Sequence, residues 1–177
     1  MKTVPKSLRL HIALFGRTNV GKSSFLNLIA GQDVSIVSEQ PGTTTDVVEK
    51  PMELLPIGPV VFIDTAGLDD VTALGGKRIE KTEKVFDRAD VILLICEGNR
   101  FGEFEQTVCE KAGKTPVIKI ANKSDLFNPS DPAYLACNST DLSSREKVLA
   151  QLKARLIEVC PEEFIQQQPL VGDLVKP

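Results

Sequence analysis

Short, mostly apolar runs alternate along this chain with stretches whose apolar residues recur at helical spacing. Leu8–Phe15 is an apolar run that stops at Gly16, and Val60–Ile63, Val91–Ile95 and Val117–Ile120 are runs of the same kind. Such runs, bounded by turn residues, predict strands buried on both faces. Tyr134–Cys137 predicts one more. Between them lie helical patterns. Lys22–Ala30 carries Phe25, Leu26, Leu28 and Ile29; Ile79, Thr82, Val85 and Phe86 share a face, as do Phe101, Phe104, Val108 and Ala112. Val148, Leu149, Leu152, Leu156 and Val159 form the last stripe, and Ser143 with Glu146 predicts a capping box at its start. Val47–Leu54 breaks the rhythm. It holds Pro51 and the charges Glu49 and Lys50, so it is expected at a sheet edge, antiparallel to its neighbour. Pro56-Ile57-Gly58-Pro59 then turns the chain into Val60–Ile63. Strands alternating with helices imply an α/β fold with a mainly parallel sheet covered on both sides.

Composition narrows the class. The 177 residues suit about one domain, with 42% hydrophobic and 25% charged residues. Twenty-one basic residues against 24 acidic ones give a net charge of -3, so the footprint of a dedicated nucleic-acid binder is missing. No apolar run approaches the ~18 residues of a membrane span, and the N-terminus does not read as a secretory signal. Cys96, Cys109, Cys137 and Cys160 lack metal-ligand spacing and His11 is the one histidine, so they read as unpaired core thiols of a cytoplasmic protein. The stretch 31–46 has little periodicity and is long enough to be a functional loop. From Pro161 onward the chain resembles a linker, which suggests residues 1–160 as the domain and 161–177 as a lead into another one.

Three motifs carry chemistry. Gly16-Arg-Thr-Asn-Val-Gly21-Lys22-Ser23 fits G-x-x-x-x-G-K-S between a strand and a helix. Its glycines allow backbone N–H groups to converge on a phosphate, and the helix N-terminus adds positive potential there. Lys22 can reach the β- and γ-phosphates, and the Ser23 hydroxyl can bind Mg²⁺. The strand Val60–Ile63 ends in Asp64-Thr65-Ala66-Gly67. Asp64 can hold Mg²⁺ through a water, and the Gly67 N–H can meet the γ-phosphate. Asn122-Lys123-Ser124-Asp125 follows another strand. A carboxylate there can accept two hydrogen bonds from guanine, a pair that adenine cannot offer.

Together these residues resemble the Ras-like P-loop GTPases. Asn19 with Pro41-Gly-Thr-Thr-Thr-Asp46 resembles the TrmE–Era branch. Leu54-Leu-Pro-Ile-Gly-Pro-Val-Val-Phe-Ile-Asp-Thr-Ala-Gly-Leu-Asp-Asp70 and Arg78-Ile-Glu-Lys-Thr82 resemble HydF, the FeFe-hydrogenase maturation GTPases. The resemblance implies a three-layer G domain with a six-stranded, mainly parallel sheet and one antiparallel edge strand. It implies GTP and GDP as ligands: Gly16, Asn19, Val20, Gly21, Lys22, Ser23 and Ser24 on the phosphates, Thr43 and Thr44 in switch I, and Asp64 and Gly67 in switch II. Asn122, Lys123 and Asp125 would hold guanine, with backbone help from Cys137 and Asn138. Mg²⁺ would sit on Ser23, Thr44 and Asp64. K⁺, doing the work of an arginine finger, would sit on Asn19, Ser38, Gln40 and Thr43. Lys22, Asn19 and Thr44 would carry the catalytic roles.

Partners implied by the resemblance are a second copy through the switches and, in a hydrogenase-maturation protein, other maturases and apo-hydrogenase. A tRNA-modification or ribosome-assembly GTPase of the same branch is the alternative, as is a nucleotide-bound interaction module that does not hydrolyse. No direct nucleic-acid contact and no membrane is expected. Two positions depart from the pattern. Ala136-Cys137-Asn138 stands where a Ser-Ala-Lys-type element is expected, and Leu68 stands where Ras-like enzymes place the glutamine that orients water. Asp69 and Asp70 are the only acids between Gly67 and Glu80, so no general base is assigned and turnover is expected to be slow.

Overall fold

The computed structural model describes residues 9–31, 48–65, 76–127 and 129–160. Six strands form one sheet: β1 (Leu10–Gly16), β2 (Val48–Leu54), β3 (Gly58–Asp64), β4 (Val91–Glu97), β5 (Val117–Asn122) and β6 (Leu135–Ala136). Among the described residues the α-helices are α1 (Lys22–Ala30), α2 (Gly76–Arg88), α3 (Glu103–Ala112) and α4 (Arg145–Val159). The strand order is β2-β3-β1-β4-β5-β6. All neighbours pair in parallel except β2, which runs antiparallel to β3 in a hairpin that sets Pro51 opposite Val61. A proline cannot donate to a ladder, so it belongs on this outer strand, as the sequence predicts.

The period-two alternation of the strands divides the core into two layers. Leu10, Ile12 and Leu14 of β1, with Val91, Leu93 and Ile95 of β4, pack with Phe25 and Leu28 of α1 and with Val148, Leu152 and Leu156 of α4. The intervening residues Ala13, Phe15, Ile92, Leu94 and Cys96 pack with Val85 and Phe86 of α2 and with Phe104, Val108 and Ala112 of α3. Phe15 stacks on Phe86 with ring centroids 4.6 Å apart. The central strands read as continuous apolar runs because each face meets its own helix pair.

Two local expectations change. The predicted capping box at Ser143 and Glu146 does not start α4. Instead Asp141 accepts from the Ser143 N–H at 3.1 Å, a 3₁₀ turn follows over Leu142–Ser144, and α4 begins at Arg145. An aspartate can cap a turn as well as a serine can, and here it intercepts the amide first. Phe101 precedes α3 and lies half-exposed, its ring 4.8 Å from Lys119 Nζ. Among the described residues no helix is long and apolar enough to cross a membrane. All four cysteines are free; burial pushes the Cys96 and Cys137 thiols up to about 12, so they behave as apolar packing groups.

Candidate functional site

Five parallel strands end on the same edge of the sheet, at Gly16, Asp64, Glu97, Asn122 and Ala136. Strand β1 lies between β3 and β4, so the chain leaves it toward both halves of the sheet, and ligands of open α/β sheets bind in the crevice at such a switch point. The three sequence motifs therefore converge because each follows the carboxyl end of a strand.

The phosphate loop is shaped by backbone conformation. Asn19 has φ 66° and Gly21 φ 97°. Asparagine tolerates the left-handed region better than most residues, and glycine occupies it without penalty. Gly21 is also sterically required, since a Cβ there would lie 2.3 Å from Asn122 Nδ2. Gly16 is hemmed in likewise: its Cβ would lie 2.7 Å from the Ile95 carbonyl oxygen. Lys22 begins α1 and is buried at 6% exposure. Its Nζ donates to the Gly16 carbonyl at 2.6 Å and the Arg17 carbonyl at 3.3 Å, so the ammonium lies over the loop at the mouth of the helix. Ser23 is half-buried and Ser24 exposed in the next positions of α1.

Beside the loop, Asp64 ends β3 in register with Leu14 of β1 and is buried. Thr65 follows it, and its hydroxyl donates to the Leu14 carbonyl, fastening the end of β3 to β1. Hydroxyl and carboxylate oxygens, with no thiol or imidazole among them, make Ser23 and Asp64 a donor set suited to a hard divalent cation such as Mg²⁺.

On the base side, Asn122 is buried and engaged at both ends of its amide. Nδ2 donates to the Val20 carbonyl at 2.7 Å, and Oδ1 accepts the Ser139 N–H at 3.1 Å. It thus braces the phosphate loop against the loop after β6. Lys123 has φ 58°, and its Nζ donates to Glu97 at 2.8 Å. That hydrogen bond, reinforced by the lysine charge, holds the Glu97 carboxyl below its ordinary value. The Ser124 N–H donates to the Cys137 carbonyl at 3.0 Å, so the base motif is stitched to the loop after β6, while Asp125 itself is exposed.

The Cys137 N–H donates to Ala121 at 2.8 Å, and the Asn138 side chain accepts from Thr140. These groups order the loop in place of the missing Ser-Ala-Lys-type side chains. A cavity of about 480 Å³ opens between α1 and this loop, lined among others by Ser24, Asn27, Ser139 and Arg145.

Gly16, Asn19, Val20, Gly21, Lys22, Ser23, Ser24, Asp64, Asn122, Lys123, Asp125, Cys137 and Asn138 thus share one sheet edge. Ser38, Gln40, Thr43, Thr44 and Gly67, as well as Leu68, Asp69 and Asp70, lie outside the described residues. Sequence reasoning missed Ser139, Glu97 and Glu105. Glu97 is the terminal residue of a recognisable strand, but nothing local marks Ser139 or Glu105 as bound to the site.

The family model described as "50S ribosome-binding GTPase" matches residues 11–123. The chain is 37% identical over 157 residues to a tRNA modification GTPase MnmE from Bordetella avium, a match covering 85% of this chain and 34% of that protein. It is 38% identical over 128 residues to a GTPase Der from Kosmotoga olearia, covering 67% of this chain and 28% of that protein. Among solved structures, Era of Aquifex aeolicus bound to GDP·AlF4⁻ superposes with a TM-score of 0.63 at 23% identity, covering 85% of this chain and 56% of that one, which shows the fold. The chain spans about a third of the length of the curated relatives it matches. Its phosphate loop and its strand-end aspartate fall within residues 11–123, as do Asn122 and Lys123 at the start of the base motif, and the chain belongs to this GTPase family as a P-loop G domain of the TrmE, Era and Der type.

Proposed function

We propose that this chain binds GTP and hydrolyses it to GDP and phosphate, as the G domain of a longer protein of the tRNA-modification GTPase type. The observation that carries the reading is the bridge through Asn122, which joins the phosphate loop to the base side of the same crevice. Binding begins with charge. The Lys22 ammonium turns from the Gly16 and Arg17 carbonyls to the β- and γ-phosphates, and the left-handed turn at Gly21 leads the backbone into the N-terminus of α1, where amides face the anion. Ser23 and Asp64, with Thr44, would hold Mg²⁺, which neutralises charge on the phosphates when bound. Asp125, with Lys123 beside it, selects guanine through two hydrogen bonds to its carboxylate. Asn19, with Ser38, Gln40 and Thr43, would hold K⁺, whose charge supplies stabilisation of the transferring phosphoryl group.

Calorimetry with GDP, GTP and ATP tests this reading. Guanine nucleotides bind, ATP does not, and Lys22→Ala abolishes measurable GTP binding; tight ATP binding with no response to GDP would refute it. Phosphate release should rise when potassium replaces sodium, and Asn19→Ala should remove that gain. Equal rates in both salts would remove the potassium site and leave nucleotide binding in place.

A second reading rests on Leu54–Asp70 and Arg78–Thr82, whose sequence resembles the hydrogenase-maturation GTPases. In that reading the domain regulates a scaffold that delivers a di-iron precursor to apo-hydrogenase, with the cluster ligands in another domain. The likeness to the tRNA modification GTPase MnmE named above favours the tRNA-modification type. Complementation separates the two: the gene encoding the full-length protein restores either tRNA modification or hydrogenase activity to a strain lacking it.

A further inference from the structure

Arg17 is the second residue of the phosphate loop, yet its guanidinium is engaged with α3, 88 residues away in sequence. Nε donates to Glu105 Oε1 at 2.9 Å and Nη2 donates to Oε2 at 2.8 Å, a two-pronged pair. Glu105 is 2% exposed, the more deeply buried of the two buried carboxylates among the described residues. Its Oε2 also accepts the Gly102 N–H at 3.2 Å. The Arg17 guanidinium lies 6.0 Å from the centre of the Phe104 ring. Gly102 makes room for it, since a Cβ at that position would lie 2.8 Å from Arg17 Nη2. Burial pushes the Glu105 carboxyl up, but hydrogen bonds from Arg17 and from backbone amides outweigh it, and the carboxyl stays below its ordinary value.

The other end of Arg17 faces the chemistry. Its carbonyl oxygen accepts from Lys22 Nζ at 3.3 Å and from the Val20 N–H at 3.3 Å, so it closes the turn on which the phosphate-binding lysine rests. The residue that anchors the loop to α3 by its side chain is thus the one that contacts Lys22 by its backbone. We propose that the Arg17–Glu105 pair is a positioning clamp that fixes the first turn of the phosphate loop to α3, so that Lys22 can exchange a carbonyl for a phosphate without the loop collapsing after it. Arg17 acts through Lys22 and the loop amides and touches no phosphate itself. The inference rests on the nucleotide-binding reading above.

The test compares GDP affinity with thermal stability in the full chain. Arg17→Met with Glu105→Met replaces the ion pair by apolar side chains of similar length that can pack on Phe104, an exchange that cores often accept without loss of stability. The expected result is a Tm within about 2 °C of wild type and GDP affinity weakened by about tenfold, because the two-pronged registry is gone. Recovery of affinity together with Tm would overturn the clamp and leave a pair that only fills space. Should the double variant not fold, Arg17→Lys decides. It keeps the charge but loses the fork, and GDP affinity should fall by about fivefold at nearly unchanged Tm, whereas undiminished affinity overturns the proposal. Wild type is titrated alongside: a wild type that does not bind GDP takes the clamp down together with the nucleotide reading, while normal wild-type binding with normal Arg17→Lys binding defeats the clamp alone.

Discussion

The two ends of the crevice are built differently. At the phosphate end the determinants are mostly backbone: left-handed residues at the exposed Asn19 and the half-buried Gly21, with a lysine at 6% exposure, in a loop that Asn122 braces from the base side. At the base end the expected selector, Asp125, is exposed, and its neighbour Lys123 pairs with Glu97 at the surface. A triphosphate is recognised by geometry that the fold must hold rigidly, because many amides have to face one point at once. A base is recognised by one carboxylate, which needs only a fixed backbone beneath it. The Ser124 N–H on the Cys137 carbonyl supplies that backbone. Damage to the left-handed backbone of the phosphate loop should therefore cost folding and binding together, and damage to the Asp125 carboxylate should change specificity while leaving the fold intact.

The sharpest way to break this contrast is Gly21→Ala. The new Cβ would stand 2.3 Å from Asn122 Nδ2 in a conformation that L-residues disfavour, so both the loop and its brace must shift. We expect loss of measurable GDP binding and a Tm lowered by about 5–10 °C, in line with a strain of about 1–3 kcal/mol; differential scanning fluorimetry and calorimetry read both. Asp125→Asn comes next. It should leave Tm within about 1 °C of wild type, as exposed substitutions do, and shift preference from guanine toward xanthine nucleotides; retained selectivity for GTP in a competition assay would contradict the assignment.

The smallest effect belongs to Glu97→Gln. An exposed ion pair contributes little, so GDP affinity should weaken by no more than about twofold, and less in high salt. Its pH dependence has a definite sign. The folded-state carboxyl lies below its ordinary value, so the pair contributes fully above that ordinary value, and the contribution is lost as pH falls through the folded value. The small stability gap between wild type and Glu97→Gln should thus close in acid. A gap that widens there would mean that Lys123 is not the partner that matters.

Much of this architecture is legible without coordinates, for identifiable reasons. The central strands are recognisable because helices cover both faces, which makes Val91–Ile95 wholly apolar. The edge strand is recognisable because Pro51 and the charges beside it suit an outer position. The phosphate and base motifs are recognisable because their chemistry demands particular residues at short spacings. Contacts that depend on strand order are not legible. Arg17 and Glu105 meet only because β1 and β4 are neighbours, which carries the loop after one to the helix after the other. Asn122 is readable as a base-site residue, but its brace to Val20 requires β5 to stand two strands from β1. The cap of α4 is misjudged from sequence for a local reason, since Asp141 competes with Ser143 for the same turn.

The far end of α1 is also closed. Gly31 takes a left-handed turn at φ 71°, its N–H returns to the Asn27 carbonyl at 3.1 Å, and Arg145 of α4 donates to the Leu28 and Ile29 carbonyls at 3.0 and 3.2 Å. The carbonyls that a helix normally leaves bare at its last turn are covered by a residue from the opposite end of the sequence. The helix that carries Lys22 at its N-terminus is thereby moored at its other end. Tension applied to the chain at Gly31 is borne by α4, so the proposed nucleotide grip at the N-terminus of α1 is shielded from a pull at its C-terminus.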